Sequence, residues 1–492
     1  MSELPAKVYS VAAVRNFDRC AIEREGIPGY TLMSRAGAFA YRSLLETWPD
    51  VTACVVVCGS GNNAGDGYVI ARLALADQRL GTVIALTDPE KLAGDAKSAY
   101  EEFVSAGGRV ESWGGSLPED VDLVVDAVLG SGLERDVEGR FAQAVNAMNA
   151  LDVPVVAIDL PSGLHGDTGE VLGCAVDADM TVTFVGLKPG LYLGKGPAHC
   201  GAVRFSGLDI PERCRETRKP TLLRFGREQA RAILRPRNQD AHKGDFGHVL
   251  VVGGGPGMPG AARLCAEAAL RTGAGRVSVA AHPDNVAAIV SSRPEIMVHG
   301  VNDAEALQRL VERADVVAFG PGLGQSGWAR SLYPVIESLD APMVWDADAL
   351  NLLAENPVSV TQGILTPHPG EAARLLAIST DGVQRDRLGS VRSLAERFAG
   401  TVVLKGACTL VSDGAIERVC DAGNPGMATA GMGDVLTGVI AGLLSQGLPS
   451  TDAAVNGVLV HAMAGDLAAA ASGERGLLAS DLFDGIRTIV NS

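Results

Sequence analysis

Asn424-Pro-Gly-Met-Ala-Thr-Ala-Gly-Met-Gly-Asp434-Val-Leu-Thr-Gly-Val-Ile-Ala-Gly-Leu-Leu444 sets small and glycine residues ahead of one carboxylate, and an apolar run follows. That order predicts a tight turn opening a helix. Unbonded backbone N–H groups and the positive end of the helix dipole then lie beside Asp434. Such a turn can hold a phosphate or another developing negative charge. Taken alone, a Gly-x-Gly-Asp turn reads more simply, with Asp434 steadying the first helical turn. The sequence around it decides between the two.

Upstream, one plan repeats. A strand at 248–252 opens into Gly253-Gly254-Gly255-Pro256-Gly257-Met258-Pro259-Gly260-Ala261 and an alanine-rich helix. A short strand follows at 276–280. The strand at 315–319 ends in Gly320-Pro321-Gly322-Leu323-Gly324, and that at 342–346 precedes Ala347-Asp348-Ala349-Leu350-Asn351. The strand at 364–366 ends in Pro367-His368-Pro369-Gly370-Glu371, and that at 401–404 in Lys405-Gly406-Ala407-Cys408-Thr409. Strand-then-helix alternation means a mainly parallel sheet flanked by helices. Lys405-Gly406 at a strand end offers a cation and open backbone to a phosphate, although a snorkelling surface lysine fits the same residues. His368 is held on a rigid turn between two prolines, as a structural or a functional histidine. Asp346 and Asp348 read as magnesium-related groups or as caps of the helix at Leu350.

The first half follows the same plan. Residues 10–41 read as helical segments broken by Gly26-Ile27-Pro28-Gly29. The β-branched run at 51–58 fits a strand buried on both faces. It ends in a loop, Gly59-Ser60-Gly61-Asn62-Asn63-Ala64-Gly65-Asp66-Gly67, with a helix from Tyr68. Strand, glycine-rich loop and helix form an anion cradle, though outside the usual Gly-x-Gly-x-x-Gly register. Further units place Asp126 and Asp159 at the carboxyl ends of parallel strands, the edge where ligands bind in open α/β sheets. Asn63, Asp126 and Ser162 together offer hard oxygen ligands to a cation. Asp159 is the better candidate for proton transfer.

A chain of 492 residues suits two to four domains. Hydrophobic residues at 47% and charged residues at 20% point to well-buried globular domains. A net charge of −16 and only 4% aromatics argue against a nonspecific nucleic-acid surface and base-stacking platforms. Nine cysteines, an odd and scattered set without a Cys-x-x-Cys pair, predict reduced thiols in a cytoplasm. The amino terminus lacks the apolar core of a signal peptide, and runs such as 51–58 are too short to cross a bilayer. A soluble, cytoplasmic protein is expected. The charged, proline-bearing text between Leu208 and Leu223 predicts a boundary between domains at 1–215 and 222–492.

Gly61-Asn62-Asn63-Ala64-Gly65-Asp66-Gly67, Asp126, Gly130-Ser131-Gly132-Leu133-Glu134-Arg135-Asp136 and Ile158-Asp159-Leu160-Pro161-Ser162-Gly163 resemble the NAD(P)HX epimerase family, also known as the YjeF N-terminal domain. The resemblance implies a Rossmann-like fold that contacts a hydrated nicotinamide cofactor. The contacts would come from Asn62, Asn63, Ala64, Gly65 and Asp66, from the residues Gly130 to Asp136, and from Asp159. It further implies a potassium ion held by Asn63, Asp126 and Ser162, with Asp159 catalytic. The family reads Asn-Asn-Gly-Gly-Asp where Ala64 stands. A positive φ at that position would make the added Cβ cost roughly 1 kcal/mol.

His242-Lys243-Gly244-Asp245, Gly320-Pro321-Gly322-Leu323-Gly324, Trp345-Asp346-Ala347-Asp348-Ala349-Leu350-Asn351, Thr366-Pro367-His368-Pro369-Gly370-Glu371 and residues 423–434 resemble the NAD(P)HX dehydratase branch of the ribokinase-like α/β fold. This implies nucleotide contacts from Lys405, Gly406, Ala407, Cys408, Thr409 and Gly433. It implies hydrated-cofactor contacts at Ala261, Gly322 and His368, with Asp434 catalytic at the reacting hydroxyl. Ala430 stands where the family has glycine. The two halves together resemble bifunctional NAD(P)H-hydrate repair enzymes. That implies epimerisation of R- and S-NAD(P)HX, then ADP-dependent dehydration of the S form through a phosphorylated intermediate. The implied cofactors are K+ in the first domain, and ADP as phosphoryl donor with Mg2+ in the second. The expected partners are these small molecules and further copies of the chain, with neither nucleic acid nor membrane. The rival reading is a sugar or vitamin kinase fused to a non-catalytic binding or dimerisation module.

Overall fold

Val56 is buried on one face of strand Cys54–Cys58 and Val55 and Val57 on the other, each face in its own apolar cluster, which is why this run shows no polar alternation. The computed structural model describes residues 4–229, 234, 236–291 and 293–492. Its chain divides into two units, Met1–Leu222 and Leu223–Ser492.

In the first unit the strand order is Val110–Ser112, Leu80–Ala85, Cys54–Cys58, Leu123–Ala127, Val155–Ile158, Met180–Phe184 and Ala202–Ser206, with every neighbouring pair parallel. The order reverses between Cys54–Cys58 and Leu123–Ala127, so the segments leaving their carboxyl ends diverge and open a crevice. The expected loop up to Gly67 is shorter than its glycines suggest, because the helix begins at Asn62 and runs to Ala76. Gly65 and Gly67 serve packing within that helix. A Cβ on Gly65 would lie 2.5 Å from the Met33 sulfur, and one on Gly67 2.6 Å from the Ala127 Cβ. Ala64 therefore has helical backbone and no left-handed strain.

The thiol expectation is corrected here. Cys20 and Cys214 form a disulfide, their Cα atoms 5.7 Å apart across 194 residues of sequence. Folding brings the carboxyl end of this unit back onto its first helix, and local cysteine spacing carries no trace of that. Among the described residues the other seven cysteines form no disulfide.

In the second unit the sheet runs Leu222–Phe225, Glu417–Cys420, Leu410–Ser412, Thr401–Leu404, Gly363–Leu365, Met343–Trp345, Val316–Phe319, His248–Val252, Arg276–Ala281 and Met297–Gly300. It is parallel from Thr401–Leu404 to Met297–Gly300, and Leu410–Ser412 pairs antiparallel on both sides. Helix Met432–Ser445 packs along helix Pro259–Thr272 through a stripe of small residues. A Cβ on Gly438 would lie 2.0 Å from the Cys265 carbonyl oxygen, and one on Gly442 2.9 Å from that of Ala269. Asp434, Gly438 and Gly442 are spaced by four and share a helix face, so this close approach fixes where the carboxylate stands. Helix Ser450–Ser472 is long and apolar enough to cross a membrane by length and mean hydropathy. However, 56% of that window is buried inside the protein, where it packs on helices Met432–Ser445 and Leu482–Ile489.

Candidate active sites

Asp434 is the third residue of helix Met432–Ser445. Gly431 precedes the helix at φ 89°, and the first backbone bond of the turn runs from Val435 N–H to the Gly431 carbonyl at 3.1 Å. The amides before Val435 stand ahead of the ladder, as the apolar run predicted. Burial, reinforced by the charge of Asp346, pushes the Asp434 carboxyl up to about 7, although Lys405 opposes this. A carboxylate at that value is suited to accept a proton near neutrality.

Three strand ends supply its neighbours. Lys405 donates to Asp346 Oδ1 at 2.6 Å, and Thr437, on the Asp434 helix, donates to Asp346 Oδ2 at 2.7 Å. Glu371 lies 3.8 Å from the same ammonium. Burial alone would lower the Lys405 pKa, but Asp346 and Glu371 outweigh it and hold the ammonium above its ordinary range. A Cβ on Gly433 would lie 3.3 Å from Lys405 Nζ and 3.7 Å from Asp346 Oδ2. Lys405, Asp346, Gly433 and Asp434 are therefore one constellation, and the snorkelling reading of Lys405 is displaced. Asp348 does something else: it accepts from the Gly324 N–H at 2.8 Å and pins the Gly320–Gly324 turn.

That turn and the first helix meet closely. Gly322 has φ 57°, and a Cβ there would lie 2.9 Å from the Ala261 Cβ and 2.7 Å from the Met258 carbonyl oxygen. Gly255 N–H donates to the Gly322 carbonyl at 2.7 Å, locking two glycine-rich loops together. His368 caps helix Pro369–Leu376, accepting from Gly370 N–H at 3.0 Å through Nδ1, while its own N–H donates to Glu371 Oε2 at 2.7 Å. Burial, with Lys405 nearby, lowers its pKa. Gly406 has φ 140°, which side chains rarely adopt, and a Cβ there would lie 2.5 Å from Arg387 Nη1. Ala407 is exposed, and Cys408 and Thr409 are half-buried beside it. Burial pushes the Cys408 thiol up to about 12, so it offers no thiolate. Ala430 is exposed and not left-handed; the glycine that needs positive φ is Gly431.

In the first unit, Asp126 is fully buried at its strand end. It accepts from Ser162 N–H at 2.8 Å, from Ser162 Oγ at 2.6 Å and from Val128 N–H at 3.2 Å. Burial still pushes it up to about 6 despite those bonds. Ser162 Oγ also accepts from Leu129 N–H at 2.8 Å. Asn63 is buried, and among the described residues neither its Oδ1 nor its Nδ2 has a partner. A Cβ on Gly130 would lie 3.4 Å from Asn63 Oδ1 and 3.4 Å from Asp159 Oδ2, which sets both side chains against one glycine. Asn63 offers an unpartnered amide oxygen, and Asp126 and Ser162 a bonded carboxyl and hydroxyl, all hard oxygen donors of the kind a cation such as potassium takes.

Asp159 has φ 68° and follows strand Val155–Ile158. Its Oδ2 accepts from Ser131 N–H at 3.1 Å, and its Oδ1 takes the Lys188 ammonium. Burial raises its pKa, yet Lys188 and Ser131 overcome this and leave the carboxyl below the ordinary range. Asn62 and Gly132 are exposed, Leu133 is buried, and Glu134, Arg135 and Asp136 stand exposed farther along the same loop. Ala64 and Gly65 are buried in the helix interior, so only backbone from that pair can face a ligand. Sequence reading passed over Lys188, Asp18 and Thr437. Lys188-Pro189-Gly190, close behind a strand, resembles Lys405-Gly406 and was the available signal; Asp18 lies on an ordinary amphipathic helix and gave none.

Residues 249–488 match the family described as NAD(P)H-hydrate dehydratase, and residues 29–190 match the YjeF-related protein N-terminus. A bifunctional NAD(P)H-hydrate repair enzyme of Coxiella burnetii is 45% identical over 485 residues, spanning 98% of this chain and 99% of its own. One from Escherichia coli is 43% identical over 491 residues, spanning 99% and 95%. Among solved structures, a ribokinase-like superfamily protein of Enterococcus faecalis superposes with TM-score 0.51 at 27% identity, over 55% of this chain and 95% of that one.

Proposed function

Because the chain belongs to the family of bifunctional NAD(P)H-hydrate repair enzymes, we propose that its two sites act in sequence on NADH or NADPH that has gained water across a nicotinamide ring double bond. The first unit interconverts the R and S hydrates. The second dehydrates the S form using ADP. Water adds to the ring enamine with its hydroxyl on the carbon bonded to nitrogen, and hydroxide is a poor leaving group.

In the second unit, the substrate hydroxyl oxygen forms a bond to the terminal phosphorus of ADP, AMP departs, and the hydroxyl proton passes to Asp434. The amides ahead of Val435 and the Lys405 ammonium meet the charge on the transferred group. The ring nitrogen lone pair then expels phosphate, and loss of a ring proton restores NAD(P)H. Phosphoryl transfer needs positioning more than covalent help, so one well-placed carboxylate suffices. Gly322 and Ala261, with no room between them for a further side chain, fit an approach by the hydrated ring, and His368 supplies a polar edge. Gly406 with Ala407, Cys408 and Thr409 fits the nucleotide. Magnesium would ride on the nucleotide phosphates, because Asp346 and Asp348 are already engaged with Lys405 and with the Gly324 amide.

In the first unit, Asn63, Asp126 and Ser162 would hold potassium, which would neutralise the buried Asp126 and order the strand ends around Gly130. Asp159 would act on the hydrated ring. A cytoplasmic location, beside the reduced cofactor pool, and assembly of identical chains complete the reading. The Cys20–Cys214 disulfide is the feature that pulls against that compartment.

The observation that carries the proposal is Asp434, a carboxyl raised to about 7 at a helix amino terminus and beside the Lys405–Asp346 pair. The test is incubation with hydrated NADH and ADP while the absorbance of the reduced ring is followed. Recovery of absorbance with ADP supports the reading, whereas phosphorylation of a sugar or vitamin without recovery overturns it in favour of a kinase.

A further inference from the structure

Charged groups from several elements of the first unit converge on Lys188, a lysine 1% exposed beyond strand Met180–Phe184. Its ammonium donates to Asp159 Oδ1, to Thr183 Oγ1 at 2.9 Å and to the Phe184 carbonyl oxygen at 3.0 Å. Those three bonds use its full donor capacity. With Oδ1 held by the ammonium and Oδ2 by the Ser131 amide, the Asp159 carboxylate cannot turn. The left-handed backbone at Asp159, unusual for a residue with a side chain, gives it that aim. Two more acids feel the same charges: Asp18, on helix Val11–Glu23, and Asp66, on helix Asn62–Ala76. Arg15, almost a turn before Asp18, reaches the loop that follows strand Leu123–Ala127 and carries Ser131, since a Cβ on Gly132 would lie 3.1 Å from its Nη2.

Building on the epimerase reading, we propose that Lys188 is a positioning residue of the epimerisation site: its ammonium selects and orients Asp159, among three neighbouring acids, as the group that takes up the proton. Burial pushes Asp18 up to about 6 and Asp66 well above its ordinary value, while Lys188 overrides burial at Asp159. Asp159, held by Lys188 and the Ser131 amide, is thus the ionised member of the group, the form that accepts a proton. The ring nitrogen lone pair forms a C=N bond while the C–O pair leaves on oxygen, and a proton from solvent completes a water molecule. Water then adds to the opposite face, its lone pair forming the new C–O bond. The C=N pair returns to nitrogen, and the surplus proton passes to Asp159. Solvent resets the carboxyl.

The test measures exchange between the two hydrate epimers from pH 5 to pH 8 for wild type, Lys188→Met and Lys188→Arg, with dehydration in the second unit as an internal control. The expected wild-type acidic limb lies below this range. For Lys188→Met the rate at pH 6 falls at least tenfold and the limb moves into the window, while dehydration persists; Lys188→Arg recovers part of the rate and returns the limb. If Lys188→Met fails to fold, Thr183→Val, which removes one acceptor from the ammonium, moves the limb the same way by less. A folded Lys188→Met or Thr183→Val with the wild-type profile overturns the inference and leaves the epimerase reading standing. No exchange in wild type overturns both.

Discussion

The Lys405 ammonium and the Asp346 carboxylate lie 2.6 Å apart, and the latter, 1% exposed, also accepts from Thr437 on the helix that carries Asp434. One carboxylate therefore ties a strand-end lysine to the helix that carries Asp434. Lys405→Ala leaves Asp346 buried with a hydroxyl partner only, and breaking such a pair costs about 3 kcal/mol or more. Calorimetry is expected to show a lower melting transition for the second unit, and nucleotide titration a loss of affinity of tenfold or greater. Unchanged melting would show that Asp346 finds another partner.

Asp434→Asn is expected to reduce dehydration by at least 100-fold, within the range general base catalysis contributes, while epimer exchange continues at the wild-type rate. Both are read in one reaction by separating the epimers and following ring absorbance. A near-normal dehydration rate removes Asp434 from the mechanism.

Dehydration should depend on pH through the same group. Asp434 accepts a proton only when ionised, and burial with Asp346 holds it at about 7. Dehydration kcat/KM is therefore expected to fall about tenfold per unit below that value and to level above it. The sign for stability is the reverse. A folded-state pKa above the ordinary 3.8 contributes stability that is complete below 3.8 and lost as pH rises through about 7. Asp434→Asn should consequently melt no lower than wild type at pH 8, and a clear drop there would contradict the assigned burial cost.

Ala64→Gly restores the residue that the family usually carries. Because Ala64 is helical and buried, the change relieves no strain and is expected to destabilise the first unit by about 1 kcal/mol. A rise in melting temperature would place position 64 in a left-handed conformation instead.

Replacing potassium with lithium is expected to lower the melting temperature of the first unit and slow epimer exchange, with dehydration less affected. Asn63→Ala should abolish that cation dependence in the melt, a readout independent of turnover. A melt insensitive to potassium in wild type removes the cation site.

Much of both sheets was legible beforehand, because strands buried on both faces appear as unbroken β-branched runs: 248–252 and 401–404 coincide with His248–Val252 and Thr401–Leu404. Short strands such as Leu410–Ser412 and Met297–Gly300 gave no such run, since edge and hairpin strands need less apolar text. Helix starts were harder. Glycines at 61, 65 and 67 look like a loop in one dimension, and only the Met33 and Ala127 side chains pressed against two of them explain their place in a helix.

The sequence by itself determined two α/β halves, the strand ends where Asp126, Asp159 and Lys405 stand and the helix start that carries Asp434, because strand–turn–helix order is local and leaves a periodic trace. Only the tertiary structure decided which charges meet. The Lys405–Asp346 pair spans 59 residues, the Lys188–Asp159 pair 29, and the Cys20–Cys214 link 194. Such pairings depend on which strands become neighbours and on how closely Gly438 lets two helices approach, and both are set by packing across the whole domain.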